Sequence, residues 1–371
     1  MAIKPVLDEQ SLVAKFDGLG IRPTCKLMVH ASLSALGVVE GGAQTVVAAL
    51  SAAVGPEGAV LMPAFRGAIR SPLYALRECQ SVCPQDLCPS QETGDTGAVG
   101  EALRLHPGSV RSCNPTHTWA GIGNAAPSLL QGHRHSLTPC GTDSPFFRLM
   151  ECDGSVLLLG VGIEAFTNVH AVEDARNVPY LSAYDTERRH ATYTTSGRRL
   201  QYVYPSLLQA ALRETGMLTS RKIGASMSHV MSARAFGSFL WLITEDDPWC
   251  LVLRPRGNRY QPFQDACAKI ARMVSVWESA PDREAWRNLL EESRRVRQPV
   301  VFEPAEHPAV DCPAYRGIVR DYHRCAANDI PPWEKFEDYP RLEPGVATCG
   351  QCNWPAASGR ARALESSSAE K

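Results

Sequence analysis

The sequence predicts an α/β protein, a largely parallel central sheet flanked by helices, and two stretches carry that prediction. In the first, a strand over 26–30 (KLMVH) leads into a small-residue loop. A helix over 43–54 follows, with Val46, Val47, Leu50 and Val54 at helical spacing, and then a second apolar strand over 59–65. Strand, loop, helix and strand in that order form a βαβ unit, whose crossover sets the two strands parallel. In the second stretch, Val156 to Leu159 is an unbroken apolar run closed by Gly160, as expected of a strand buried on both faces. Open sheets of this kind place their chemistry beyond the carboxyl ends of the strands. The residues after His30 and after Leu159 are therefore the first places to look for a site.

The other elements follow in order. Leu12, Val13, Phe16 and Leu19 share one side of an N-terminal amphipathic helix that Gly20 stops. Between 66 and 96 the periodicity gives way to a polar stretch containing Pro and Cys, too long for an ordinary connection and therefore a functional loop or a mobile one. Helices are predicted over 97–106 and 125–131, with a short strand around Trp119 between them. Ser144-Pro145, a cap followed by a first-turn proline, opens a helix that reaches Glu151. A β-hairpin is expected within 180–204 around Ser196-Gly197, then helices over 206–216 and 232–241. Past 254 the composition shifts: 282–297 reads as a solvated helix of mixed charge, and the remainder is rich in Pro, Cys and Trp. The predicted organisation is a domain over 1–253, a Cys/Pro-rich extension over 254–356 and a disordered tail over 357–371.

Charge and cysteine usage narrow the class. A formal net charge of -1 provides no global basic field, which argues against a nucleic-acid partner. No apolar run approaches the length of a membrane span, and no N-terminal run has the character of a secretion signal, so the expectation is a soluble, cytoplasmic protein without a membrane partner. Homo-oligomer formation stays open. Thirteen cysteines, an odd number, suit reduced thiols better than a disulfide framework. Cys79, Cys83 and Cys88 cluster in the long loop, and Cys349 and Cys352 form a CxxC that Cys312 and Cys325 complete to four thiols. Such a set is a candidate site for a structural zinc or an iron–sulfur cluster, although its irregular spacing equally suits unliganded thiols.

The strand over 156–159 delivers the most suggestive pattern. Gly160 and Gly162 let the chain turn, Thr167 is a candidate N-cap, and His170 and Glu173 then lie three residues apart on one face of a short helix. After the first strand, HASLSALG is a small-residue loop that allows a phosphate-bearing ligand to approach the backbone, with Ser32 and Ser34 as hydrogen-bond donors.

Taken in sequence, VHASLSALGVVEGGAQTVVAALSAAVGPEGAVLMPAF, TGAVGEALRLHPGSVRSCNPTHTWAGIG, GTDSPFFRL and VLLLGVGIEAFTNVHAVE resemble the aminoglycoside N3-acetyltransferase family, also called antibiotic N-acetyltransferases. The resemblance runs from about 6 to 253 and includes RKIGASMSHVMSARAF, similar to the family's closing segment. It implies the antibiotic N-acetyltransferase fold and acetyl transfer from acetyl-CoA to a small-molecule amine, in a direct ternary complex and without metal. Thr167, His170 and Glu173 occupy the family's TxxHxxE motif, which implies His170 as general base and Glu173 as its orienter. The chemistry agrees: attack on a thioester needs a free amine lone pair, and a neutral imidazole can take the proton while a carboxylate stabilises the imidazolium. The resemblance also places His30, Ser32, Leu33 and Ser34 along the CoA site.

Departures from the family bear on the substrate. In RSCNPTHTWAG, Asn114 stands for the family's His, and Thr118, assigned with the cofactor residues, stands for its Ser and keeps a hydroxyl. Phe166 stands where members often have Asn. Asp86, Glu92, Asp95, Glu101 and Asp143 are candidate acids for a polycationic acceptor, but the near-neutral charge suits an amine from a biosynthetic pathway equally well. Two alternatives complete the expectations. Cys113 as nucleophile would give a Cys–His–Glu acyl-enzyme route. A non-catalytic acyltransferase-like binding protein would instead be recruited through the Cys-rich tail.

Overall fold

Apolar runs that alternate between two packed faces build one seven-stranded sheet: β1 (Lys26–Ala31), β2 (Ala59–Pro63), β3 (Val110–Arg111), β4 (Trp119–Ile122), β5 (Ser155–Leu159), β6 (Thr219–Ile223) and β7 (Ser226–Ser232), in the order β3-β4-β2-β1-β5-β7-β6. The structure is a computed structural model that describes residues 6–65, 87–88, 96–114, 117–133, 136, 140–176, 208–247, 250, 263–279, 282–294, 315–319 and 322–325. β1 pairs in parallel with β2 and with β5, as the βαβ reading requires. Both flanks are antiparallel: β4 on β2, β3 on β4, β7 on β5 and β6 on β7. The α/β class holds, and the parallel character is confined to the centre. The physical reason on one flank is the turn between Ile223 and Ser226, too short for a crossover and opened by Gly224 at φ 61°.

Helices cover both faces. On one lie α1 (Glu9–Gly18), α2 (Leu33–Leu36), α3 (Gly42–Val54) and α4 (Ala98–Arg104). Leu12, Phe16, Val46, Leu50, Val99 and Leu103 pack there against Leu27, Val29, Val60 and Leu157. On the other lie α5 (Ala126–Leu130), α6 (Pro145–Glu151), α7 (Val169–Arg176), α8 (Leu208–Glu214) and α9 (Ala233–Asp246). Phe146, Val169, Leu212 and Phe236 meet Met28, Leu61, Val156 and Leu158 on that side. Alternate residues of β1 and β5 thus serve alternate cores, the period-2 geometry of a strand. Local chemistry fixes the helix starts: the Asp8 side chain accepts from the Ser11 amide at 2.8 Å in a capping box, and Ser144 and Ser232 cap α6 and α9.

The same core extends past residue 253. Helices α10 (Phe263–Ser279) and α11 (Asp282–Arg294) contribute Met273, Ala285 and Leu289 to the cluster that contains Phe236 and Val169. The helix expected to be solvated is therefore amphipathic, its charges on the outer face and Ala285 and Leu289 fully buried. A separate two-stranded antiparallel sheet pairs β8 (Tyr315–Val319) with β9 (Tyr322–Cys325). The hairpin expected within 180–204 and the tail over 357–371 lie outside the described residues. No helix among the described residues is long and apolar enough to cross a membrane.

Candidate active site

Parallel pairing of β1 and β5 brings their carboxyl ends side by side, with Ala31 opposite Leu159. The next residues stay together: the Ser32 amide donates to the Leu159 carbonyl at 2.9 Å. Gly160 adopts φ 70°, and a Cβ on it would lie 3.0 Å from the Ser32 carbonyl oxygen. Only glycine allows this left-handed turn against a neighbouring backbone. The small-residue loop itself is more ordered than a plain turn. Ser32 is the extended N-cap of α2, Leu33 begins that helix, and the Ser32 and Ser34 hydroxyls stand 3.3 Å apart. Ser34 is exposed and Ser32 half-buried, so both hydroxyls remain near solvent.

Beyond Gly160 the chain makes one 3₁₀ turn at Ile163–Ala165 and enters α7. That helix begins at Val169, one residue later than a Thr167 cap implies, so the Thr167 hydroxyl serves another partner and lies 3.4 Å from His30 Nε2. His170 and Glu173 do meet: Nδ1 and Oε2 are 2.7 Å apart, the distance of a charge-assisted hydrogen bond. Glu173 is 1% exposed and His170 20%, so a buried carboxylate holds a partly exposed ring. An imidazole held at Nδ1 by a carboxylate presents Nε2 for proton transfer.

His30 is held differently. It is buried beside Trp119, ring centroids 5.7 Å apart and edge-on, and burial lowers its pKa from 6.5 to about 4. The ring is neutral at physiological pH. Between pH 6.5 and about 4 the unfolded chain takes up a proton there that the folded chain refuses, so stability falls as pH falls through that window. The contribution is fully present above pH 6.5 and amounts to about 3 kcal/mol. Denaturant titrations at pH 7 and pH 4.5 are expected to show a larger acid loss for the native protein than for His30→Gln.

The segment before β4 faces inward. Thr118 is fully buried; its hydroxyl donates to the Ala64 carbonyl, and the Arg111 guanidinium reaches both that hydroxyl at 3.0 Å and the same carbonyl at 2.5 Å. Its hydrogen bonds thus join strand ends, whereas Ser32 and Ser34 face outward. Asn114 is also buried and accepts from the His117 amide at 2.8 Å. Cys113 is buried and packs with Cys88 in a small cluster of its own. Of the candidate acids, Glu101 pairs with Arg104 at 2.6 Å and Asp143 lies 3.9 Å from Arg148, while Asp86, Glu92 and Asp95 lie outside the described residues. So do Cys79, Cys83, Cys312, Cys349 and Cys352, and Cys325 is described by its backbone alone. Among the described residues no three His, Cys, Asp or Glu side chains converge as metal ligands would.

Two residues escaped sequence reasoning. Ser228 on β7 accepts from the Gly160 amide at 3.1 Å, and Gly224 lets the β6–β7 turn press on Leu36 at the end of α2. Gly224-Ala225, directly after Ile223, was the available signal for that turn.

A His–carboxylate pair stands beyond one parallel strand and a serine-containing turn beyond its neighbour, and the chain belongs to the aminoglycoside 3-N-acetyltransferase family, whose model matches residues 28–241. Among individual proteins it is similar to aminoglycoside N(3)-acetyltransferase VIII of Streptomyces fradiae, 36% identical over 177 residues that make up 45% of this chain and 61% of that protein. It is likewise 34% identical to aminoglycoside N(3)-acetyltransferase III of Serratia marcescens over 190 residues, 50% of this chain and 68% of that one. The solved structure of AAC-IIIb in binary complex with CoASH superposes with a TM-score of 0.54 at 25% identity, covering 65% of this chain and 98% of that one.

Proposed function

We propose that this protein transfers an acetyl group from acetyl-CoA to an amine of an aminoglycoside-like acceptor, with His170 as general base. The observation that carries the reading is the 2.7 Å contact between His170 Nδ1 and a buried Glu173 carboxylate on a ring that is itself 20% exposed. Family membership and the similarity to a CoASH-bound relative support the choice of acyl donor. The acceptor nitrogen loses its proton to His170 Nε2 as it attacks the thioester carbonyl; collapse of the tetrahedral adduct breaks the C–S bond and expels the CoA thiolate, which takes that proton from the imidazolium and restores the neutral ring. Glu173 stabilises the imidazolium formed in the first step. Ser32, Leu33 and Ser34, in the turn that abuts Gly160, are assigned to the CoA pantetheine and phosphates, with His30 and Thr167 fixing the loop against the helix. Thr118 contributes by holding Ala64 and Arg111 in place.

Release of free thiol from acetyl-CoA with a panel of aminoglycosides and simple diamines tests this, with mass detection of the acetylated amine. Absence of acceptor-dependent thiol release across the panel would overturn the reading. The thiol route through Cys113 has a separate check. A buried sulfur packed on Cys88 lacks the exposure a nucleophile needs. Cys113→Ala is therefore expected to keep turnover within about threefold of native, since it removes no group from the transition state.

A further inference from the structure

Four positions line up across the sheet face that carries the His170 helix: His30 on β1, Leu158 on β5, His229 on β7 and Ser220 on β6. Residues paired laterally point to the same face of a sheet. Here it is the face on which Val169 and Val172 of α7 pack, above Met28, Leu158 and Met231. With neighbouring strands about 4.8 Å apart, His229 stands roughly 10 Å from His30, on the other side of Leu158. The row thus has a polar pair at each end. Thr167 and His30 form the first; at the second, His229 Nδ1 lies 2.7 Å from the Ser220 hydroxyl.

The second pair has no part in the acyl-transfer chemistry. His229 is 3% exposed as a residue, and its ring is held in one orientation on the sheet face. Ser220 occupies one of the ring nitrogens. Burial, and then the positive charge of Arg213, hold the His229 pKa below its ordinary value, with Glu164 opposing them. A neutral ring fixed at Nδ1 offers Nε2 as a donor or as an acceptor, according to the direction of the Ser220 hydroxyl. A ligand hydroxyl satisfies either state. An ammonium group satisfies only the acceptor state and is repelled by Arg213.

We propose that the Ser220–His229 pair is an acceptor-recognition subsite, in which His229 hydrogen-bonds a hydroxyl of the amine substrate on the opposite side of Leu158 from His30. The inference rests on the acetyltransferase reading and deepens it: the acceptor is an amine that also carries hydroxyls, and one of them is read at the β6–β7 edge.

Calorimetric binding to the CoA-loaded protein tests it with kanamycin B, tobramycin and dibekacin, a matched set that differs by successive loss of hydroxyls. The native protein is expected to bind one deoxy member about tenfold more weakly, the size of one hydrogen bond lost at a buried group. His229→Phe is expected to erase that difference, with the loss in turnover falling on KM for the hydroxylated amine more than on kcat. His229→Gln, which keeps a hydrogen-bonding amide, should restore part of the discrimination, and Ser220→Ala should weaken it. The inference is overturned if His229→Phe weakens all three amines alike, if it keeps the native discrimination, or if the native protein discriminates among none of them. Should the native protein take up no amine at all, the acetyltransferase reading falls and the subsite with it.

Discussion

Replacing His170 by alanine is expected to lower turnover about 10²–10⁴-fold, the usual worth of a positioned general base. The ring is 20% exposed and is held at Nδ1 by the buried Glu173 carboxylate. Ground-state binding of acetyl-CoA is assigned to the Ser32–Ser34 turn, so its KM should stay within about threefold of native while kcat collapses. Glu173→Gln should lower the rate in the same direction, because an amide cannot stabilise the imidazolium as a carboxylate does. Steady-state thiol release measures all of these. A His170→Ala protein with native turnover would remove the imidazole from the mechanism altogether.

What the sequence revealed and what it concealed divide along physical lines. The central strands were legible because burial on both faces demands continuous apolar runs, as in VLLL, and the helical crossover between β1 and β2 sets those two strands parallel. The His170–Glu173 pair was legible because it is local: three residues on a helix make one face whatever the tertiary context. The β6–β7 hairpin was obscured by chemistry appropriate to its place. β6 ends the sheet, and its TSRKI sequence carries the charges that keep an edge strand from pairing further, so no apolar alternation marks it. Helix α11 was misread because its inward residues are few, and Ala285 and Leu289 are lost among charged neighbours until α9 is placed against them. Thr118 shows the limit of motif transfer. Its hydroxyl is present as the pattern requires, but only the fold shows it turned toward Ala64 and Arg111.

The unforeseen hairpin leads to the second large expected effect, on Gly224. A Cβ there would overlap the carbonyl oxygen of Leu36 and approach Leu7 Cδ1 to 2.9 Å, at a residue whose φ is 61°. The Leu36 carbonyl already accepts from the Ala225 amide at 2.9 Å, so the turn grips the end of α2, the helix that opens at Ser32. Gly224→Ala must therefore either strain its own backbone or push Leu36 outward. The expected cost is about 3 kcal/mol of unfolding free energy, combining left-handed strain with a backbone clash. Gly216→Ala separates the two contributions. Gly216 has φ 73°, and among the described residues a Cβ on it would meet no other atom within 4 Å. It should cost only the conformational share, about 1 kcal/mol. Because Leu36 moves only in the first variant, KM for acetyl-CoA should rise in Gly224→Ala and stay native in Gly216→Ala. Equal destabilisation of the two proteins, with equal affinity for the donor, would mean that the hairpin does not set the Ser32–Ser34 turn, and the assignment of that turn to the CoA site would lose its structural support.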